Sequence, residues 1–187
     1  MRRMSLCRAN DSVLLVVDIQ QRLAAAMPEE SRLEVFRNAG ILAEAARLLG
    51  IPRLLTEQYP KGLGPTDPAL APSLDAGVER FEKTVFSCCG AEGFMERLKS
   101  LACRQMVVCG MEAHVCVLQT ALELVSAGYD VFVAEDATCS RRPANRRNAM
   151  ERLRQAGVTV TNTESVVFEW LRDSRHEQFK AISRLVR

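Results

Sequence analysis

Chemistry in this chain gathers at polar residues that directly follow apolar runs. Asp18 closes Val13-Leu14-Leu15-Val16-Val17, Cys116 stands where a turn beginning at Gly110 passes into an apolar helical stretch, and Glu135-Asp136 follow Val131 to Ala134. A cysteine at such a handover meets unpaired amides and the positive end of a helix dipole, and both stabilise a thiolate. Attack of that thiolate on a carbonyl needs a proton shuttle for the leaving amine and donors for the developing oxyanion. The backbone amides around Glu112, Ala113 and Cys116 are placed to supply the donors. Asp18 ends on the same sheet edge and is the proton-shuttle candidate. Lys83, beside Thr84-Val85-Phe86, is the cation that would hold the sulfur ionised at neutral pH. Each residue also has a plainer reading: Cys116 as a small buried hydrophobe, Asp18 as a capping residue, Lys83 as a solvated cation.

His114 is a rival base for a Cys-His dyad. It precedes Cys116 by two residues, a spacing that does not share a helix face, so it reads as a turn residue or a pocket wall. Other chemistries are absent by inspection. There is no Gly-x-Gly-x-x-Gly, no Gly-Lys-Ser/Thr loop and no Gly-x-Ser-x-Gly elbow, and no cysteine has arginine six residues on. With only His114 and His176 in the chain, a histidine-rich zinc site cannot be assembled, and neither metal nor cofactor is expected.

The elements that must position these residues alternate. Val13 to Val17 has the pattern of a strand covered on both faces. A capping box at Ser31 and Glu34 opens a helix that Gly50 and Pro52 stop, and Pro52 to Thr56 reads as a second strand. The stretch holding Pro60, Gly62, Gly64, Pro65, Pro68 and Pro72 reads as irregular. Val78 to Glu82 is a short extended segment before Lys83. A helix from Glu92 to Leu101 leads to strand Gln105 to Cys109, helix Cys116 to Ala127, strand Asp130 to Ala134, a helix from Pro143 to near Gly157, and strand Val158 to Thr161. Ser174 with Glu177 would cap a terminal helix. This order predicts a three-layer α/β/α fold, a doubly wound and mostly parallel sheet of Rossmann-like type, as one domain over residues 1–187. Such sheets bind ligands beyond the carboxyl ends of their strands, where Asp18 and Cys116 fall.

Composition agrees with a chain that folds on its own: 187 residues, 48% hydrophobic and 26% charged. A net charge of +2 gives no electrostatic footprint for nucleic acid or an anionic membrane. Apolar runs are far shorter than the ~20 residues of a membrane span, and the basic start lacks the apolar core of a secretory signal. Seven cysteines without Cys-x-x-Cys spacing point to free thiols and a cytoplasmic setting.

Four segments together carry a resemblance. Val16-Val17-Asp18-Ile19-Gln20, Glu82-Lys83-Thr84-Val85-Phe86-Ser87, Gly110-Met111-Glu112-Ala113-His114-Val115-Cys116-Val117 and Asp136-Ala137-Thr138-Cys139-Ser140-Arg141 resemble, in that order, the motifs of the isochorismatase-like cysteine hydrolases. Thr56-Glu57-Gln58-Tyr59-Pro60-Lys61-Gly62-Leu63-Gly64 further resembles the isochorismatase domain-containing subgroup. The resemblance implies a triad of Asp18, Lys83 and Cys116, an oxyanion hole near Glu112, Ala113 and Cys116, and a cis peptide around Met111-Glu112. It also implies a homo-oligomer acting on a small molecule without metal or cofactor. Gln20 is expected to orient water or substrate, and Tyr59, Phe86 and His114 to wall the pocket. The metal-binding histidines of related nicotinamidases are missing around Glu57-Gln58-Tyr59. Isochorismate-cleaving relatives lack the cysteine, so Cys116 turns the expectation toward hydrolysis of an amide-like C–N bond. A binding or scaffold protein of the same fold, or a thiol redox sensor at Cys116, are the alternatives.

Overall fold

A computed structural model of the protein describes residues 6–74 and 77–187. Strand β1 (Ser12–Val17) is the centre of a six-stranded parallel sheet of order β3-β2-β1-β4-β5-β6, completed by β2 (Arg53–Gln58), β3 (Val78–Lys83), β4 (Gln105–Met111), β5 (Asp130–Cys139) and β6 (Thr159–Thr161). Every β1 residue is buried, because alternate side chains feed two cores. Leu14 and Val16 pack with Leu42, Ala45 and Trp170, whereas Val13, Leu15 and Val17 pack with Phe94, Leu98, Leu124 and Leu153. Helices α2 (Glu29–Leu48) and α7 (Thr163–Leu171) therefore cover one face. Helices α4 (Phe94–Leu101), α5 (Leu118–Ser126) and α6 (Pro143–Gln155) cover the other. Short helices α1 (Gln21–Ala25), α3 (Pro60–Leu63) and α8 (Phe179–Ser183) complete the set.

The strand order reverses between β1 and β4, which makes their carboxyl ends the switch point. Register aligns the ends: Val17 pairs with Thr56 on one side and Gly110 on the other, and Gln58 pairs with Lys83. Gly110 is required there. Its φ is +124°, and a Cβ would overlap the carbonyl oxygen of Val17 and lie 2.7 and 2.8 Å from that residue's N and C.

Several boundaries differ from the sequence reading. Helix α2 begins at Glu29, after Pro28, so Ser31 and Glu34 lie inside it and form no capping box. Glu29 and Glu30 in the first turn complement the dipole instead. The proline-rich stretch is not wholly irregular: α3 starts on Pro60, and Pro68–Ser73 forms a 3-10 turn, both using proline's preset φ. Ser174 and Glu177 cap nothing, since α8 begins at Phe179 after Gln178. Helix α7, unread in the sequence, is capped by Asn162, which accepts from the Ser165 amide at 2.9 Å. Strand β5 runs on to Cys139 through a register shift opposite Val108 and Gly110. Glu135 and Asp136 thus lie within the strand rather than beyond it, and both serve the fold. Asp136 accepts from the Thr163 amide and hydroxyl at 2.8 and 2.9 Å, while Glu135 pairs with Arg154 at 3.2 Å.

Candidate active site

Asp18 leaves β1 in the left-handed region at φ +50°, a conformation Asp tolerates better than most residues. That bend turns its carboxylate across the sheet end. Oδ2 accepts from the Lys83 ammonium at 2.6 Å, and Oδ1 accepts from the Thr56 hydroxyl at 2.7 Å. Both members of the ion pair are fully buried. Such a pair survives burial only when its remaining groups are satisfied. Here they are: the other ammonium protons go to Gln58 Oε1 at 2.7 Å and to the Phe86 carbonyl at 2.9 Å.

Cys116 faces this pair from the opposite side of the switch point. The peptide bond joining Met111 and Glu112 is cis. Beyond it the chain makes one wide turn, Ala113–Val117, in which the Glu112 carbonyl accepts from the Val115 and Val117 amides at 3.1 and 3.3 Å. This π-type turn precedes α5, so Cys116 sits in the turn and not in the helix proper. The thiol is buried, at 5% exposure, and lies within range of the charges of Asp18 and Lys83. Burial, and then the Asp18 charge, push its pKa well up, with Lys83 opposing. Burial and the Asp18 charge thus oppose the expected ionised sulfur, while the Lys83 charge acts in its favour.

The structure brings Asp18, Lys83 and Cys116 together and distributes the other expected residues differently. Gln20 is fully buried and not free to orient water. Its Oε1 accepts from the Gln58 amide at 2.7 Å, and its Nε2 donates to the carbonyls of Gln58 and Gly64 at 3.0 and 2.6 Å. His114 is turned from the sulfur, with Nδ1 3.0 Å from Ser140 Oγ and Nε2 3.2 Å from Asn145 Nδ2. Glu112 directs its carboxylate to the Arg141 amide at 2.9 Å and to the Arg141 guanidinium at 3.2 Å. Tyr59 and Phe86 are 54% and 53% exposed. Tyr59 borders a cavity of about 420 Å³ that also touches Pro60, Lys83, Thr84, Gly90 and Glu92.

Three neighbours escaped the sequence reading. Thr56 and Gln58 sit at alternate positions at the carboxyl end of β2, and the same edge rule that found Asp18 extends to them. Cys88, whose Sγ is 3.5 Å from Thr56 Oγ1, carries no local signal, and burial raises its pKa to about 12. Among the described residues no group of His, Cys, Asp and Glu is arranged to hold a metal ion.

The isochorismatase domain model matches residues 12–165. Isochorismatase domain-containing protein 2 of Danio rerio is 40% identical over 176 residues, covering 94% of this chain and 86% of that protein. The secreted isochorismatase effector Isc1 of Phytophthora sojae is 36% identical over 184 residues, covering 95% and 85%. Among solved structures, MAR1 ribonuclease from Caenorhabditis elegans superposes with a TM-score of 0.91 at 36% identity over 97% of this chain and 92% of its own. YcaC from Pseudomonas aeruginosa, solved with hexane-2,5-diol and covalent acrylamide, gives 0.89 at 30%, covering 97% and 92%. The octameric YcaC hydrolase of Escherichia coli gives 0.86 at 26%, covering 99% and 91%. With its family model spanning most of the sequence and a buried acid, ammonium and thiol meeting at the switch point, the chain belongs to the isochorismatase domain family.

Proposed function

We propose that the protein is a cysteine hydrolase cleaving an amide-like C–N bond of a small molecule, with Asp18, Lys83 and Cys116 as its catalytic triad. The observation that carries this reading is a buried Asp18–Lys83 pair at 2.6 Å with the Cys116 thiol within range of both charges. As the sulfur attacks the carbonyl carbon, its proton passes to Asp18, and the oxyanion is received by amides around Glu112, Ala113 and Cys116. Asp18 then gives that proton to the departing amine. Water, deprotonated by Asp18, attacks the thioester, the acid leaves, and the proton returns to the sulfur. Lys83 holds the Asp18 carboxylate in place through their ion pair at 2.6 Å. Covalent acrylamide in the Pseudomonas relative supports a reactive nucleophile in this fold. Tyr59 and Phe86 form the mouth, and His114 braces the turn against α6.

Phosphodiester cleavage, which the Caenorhabditis relative's name raises, is less well supported. The carboxylate would repel a phosphate, and every proton of Lys83 is already committed. The octameric relative and the exposed Tyr59, Val85 and Phe86 support assembly into a homo-oligomer. Seven free cysteines favour a reducing, cytoplasmic compartment. No helix among the described residues is long and apolar enough to cross a membrane.

The test is turnover of a panel of small amides and cyclic imides by the wild type and by Cys116→Ala. We expect hydrolysis by the wild type to vanish in the variant while far-UV circular dichroism is unchanged. Equal turnover by both would end the proposal.

A further inference from the structure

An ammonium has three protons, and Lys83 spends all three: on Asp18 Oδ2 at 2.6 Å, Gln58 Oε1 at 2.7 Å and the Phe86 carbonyl at 2.9 Å. None is left for the sulfur. Lys83 therefore reaches Cys116 only through its charge and through its hold on Asp18, and the place of that charge is set by the other two acceptors.

Gln58 is built to be one of them. It lies opposite Lys83 in the β2–β3 register. Its side-chain Nε2 donates to the Thr84 carbonyl at 2.6 Å, which fixes the orientation of the amide. A flip would set NH2 against the ammonium and oxygen against oxygen. Its backbone is gripped in turn by Gln20, which accepts from its N–H at 2.7 Å and donates to its carbonyl at 3.0 Å. The same Gln20 amide binds the Gly64 carbonyl at 2.6 Å, so this path also ties in the proline-rich segment.

We propose that Gln58 is the positioning residue of the site, fixing the Lys83 ammonium so that the Asp18–Cys116 pair is held ready to react, with Gln20 holding Gln58 in turn. This rests on the reading of Cys116 as the nucleophile. Removing the Gln58 carbonyl leaves a buried N–H without an acceptor and frees the charge to move away from the thiol. Replacing it with a carboxylate adds a second anion that competes with Asp18 for the ammonium.

The experiment measures the rate of Cys116 carboxamidomethylation by iodoacetamide from pH 7 to 10, read by peptide mass spectrometry, with the partly exposed Cys103 as internal reference. Only the thiolate reacts, so below its midpoint the rate rises about tenfold per pH unit and a shifted titration displaces the whole line. Lys83→Met should lower the Cys116 rate at least about tenfold, Gln58→Glu about tenfold, and Gln58→Met about three- to tenfold, all with the Cys103 rate unchanged. A purely structural role for Gln58 predicts the opposite sign, since loosening the site exposes Cys116 and speeds its alkylation. Should Lys83→Met slow Cys116 while both Gln58 variants leave it unchanged or faster, the positioning role is wrong and the triad stands. Should Lys83→Met itself have no effect, the reading of the site fails first. Gln58→Glu has nearly the same volume as the native residue, which keeps the comparison available if Gln58→Met does not fold.

Discussion

At Asp18 a single carboxylate does two opposed things to one sulfur. In the proposed mechanism it receives the thiol proton when substrate arrives, yet its charge raises the thiol pKa beforehand, second only to burial. The two effects separate in Asp18→Asn, which keeps the shape and removes the charge. Turnover should fall by at least about a hundredfold, because the base is gone. Alkylation of Cys116 by iodoacetamide near pH 8 should rise, because the anion that held the proton is gone while Lys83 remains. Steady-state rates on the best amide of the panel and the carboxamidomethylation rate measure the two, and a fall in both would refute a proton-accepting Asp18. The variant also leaves the ammonium unpaired in the interior, so a stability loss of about 3–5 kcal/mol is expected in urea unfolding.

At the scale of elements, the site depends on how closely β1 and β4 approach where the order reverses. Gly110→Ala places a Cβ against the Val17 backbone and forces an L residue to φ +124°. Neither strand can yield without moving Asp18 or the cis peptide. We expect a loss of at least about 3 kcal/mol, or about 6–12 °C in melting temperature for a chain of this size. Gly50 is the contrast. It also has positive φ, at +67°, but a Cβ there meets nothing within 4 Å, so Gly50→Ala should cost only about 1 kcal/mol. Differential scanning calorimetry of the two variants separates collision from conformational preference. Equal losses would mean that the close approach at Gly110 contributes nothing.

At the scale of the whole molecule, buried thiols set an alkaline limit. Burial raises Cys88, Cys109 and Cys139 to about 12, and pushes Cys7 and Cys116 up as well. Above about pH 9 the unfolded chain releases thiol protons that the folded chain retains, so raising the pH favours unfolding. Each such thiol contributes a slope of about 1.4 kcal/mol per pH unit until its folded value is reached. Under reducing conditions the urea midpoint should be flat from pH 7 to 8 and fall steeply from about pH 9 toward 12. Cys109→Val should fall less steeply, by about one thiol's share, and a midpoint level through pH 10.5 would contradict these burial-raised values. For assembly, light scattering coupled to size exclusion should give a multiple of the 20.8 kDa chain mass, and Phe86→Glu should lower it. A native protein at the monomer mass would exclude the oligomer.

Local sequence was enough for the alternation of strands and helices, the parallel doubly wound sheet and the edge on which Asp18 and Cys116 fall, because burial on both faces and strand-to-helix handover leave a pattern within a few residues. It was enough, too, for the motifs around Lys83 and Cys116. It was not enough for the far end of β5, where a register shift against β4 turned Glu135 and Asp136 to structural work, nor for α7, whose cap at Asn162 is a single short signal. Only the folded chain decided that Gln20 is consumed by backbone, that Thr56 and Gln58 complete the shell of the ion pair, and that burial pushes the Cys116 thiol pKa up. The physical reason is the same in each case. Hydrogen bonds between groups 25 to 65 residues apart, and the balance of desolvation against charge on a thiol, are set by distances through space that a linear order of residues does not contain.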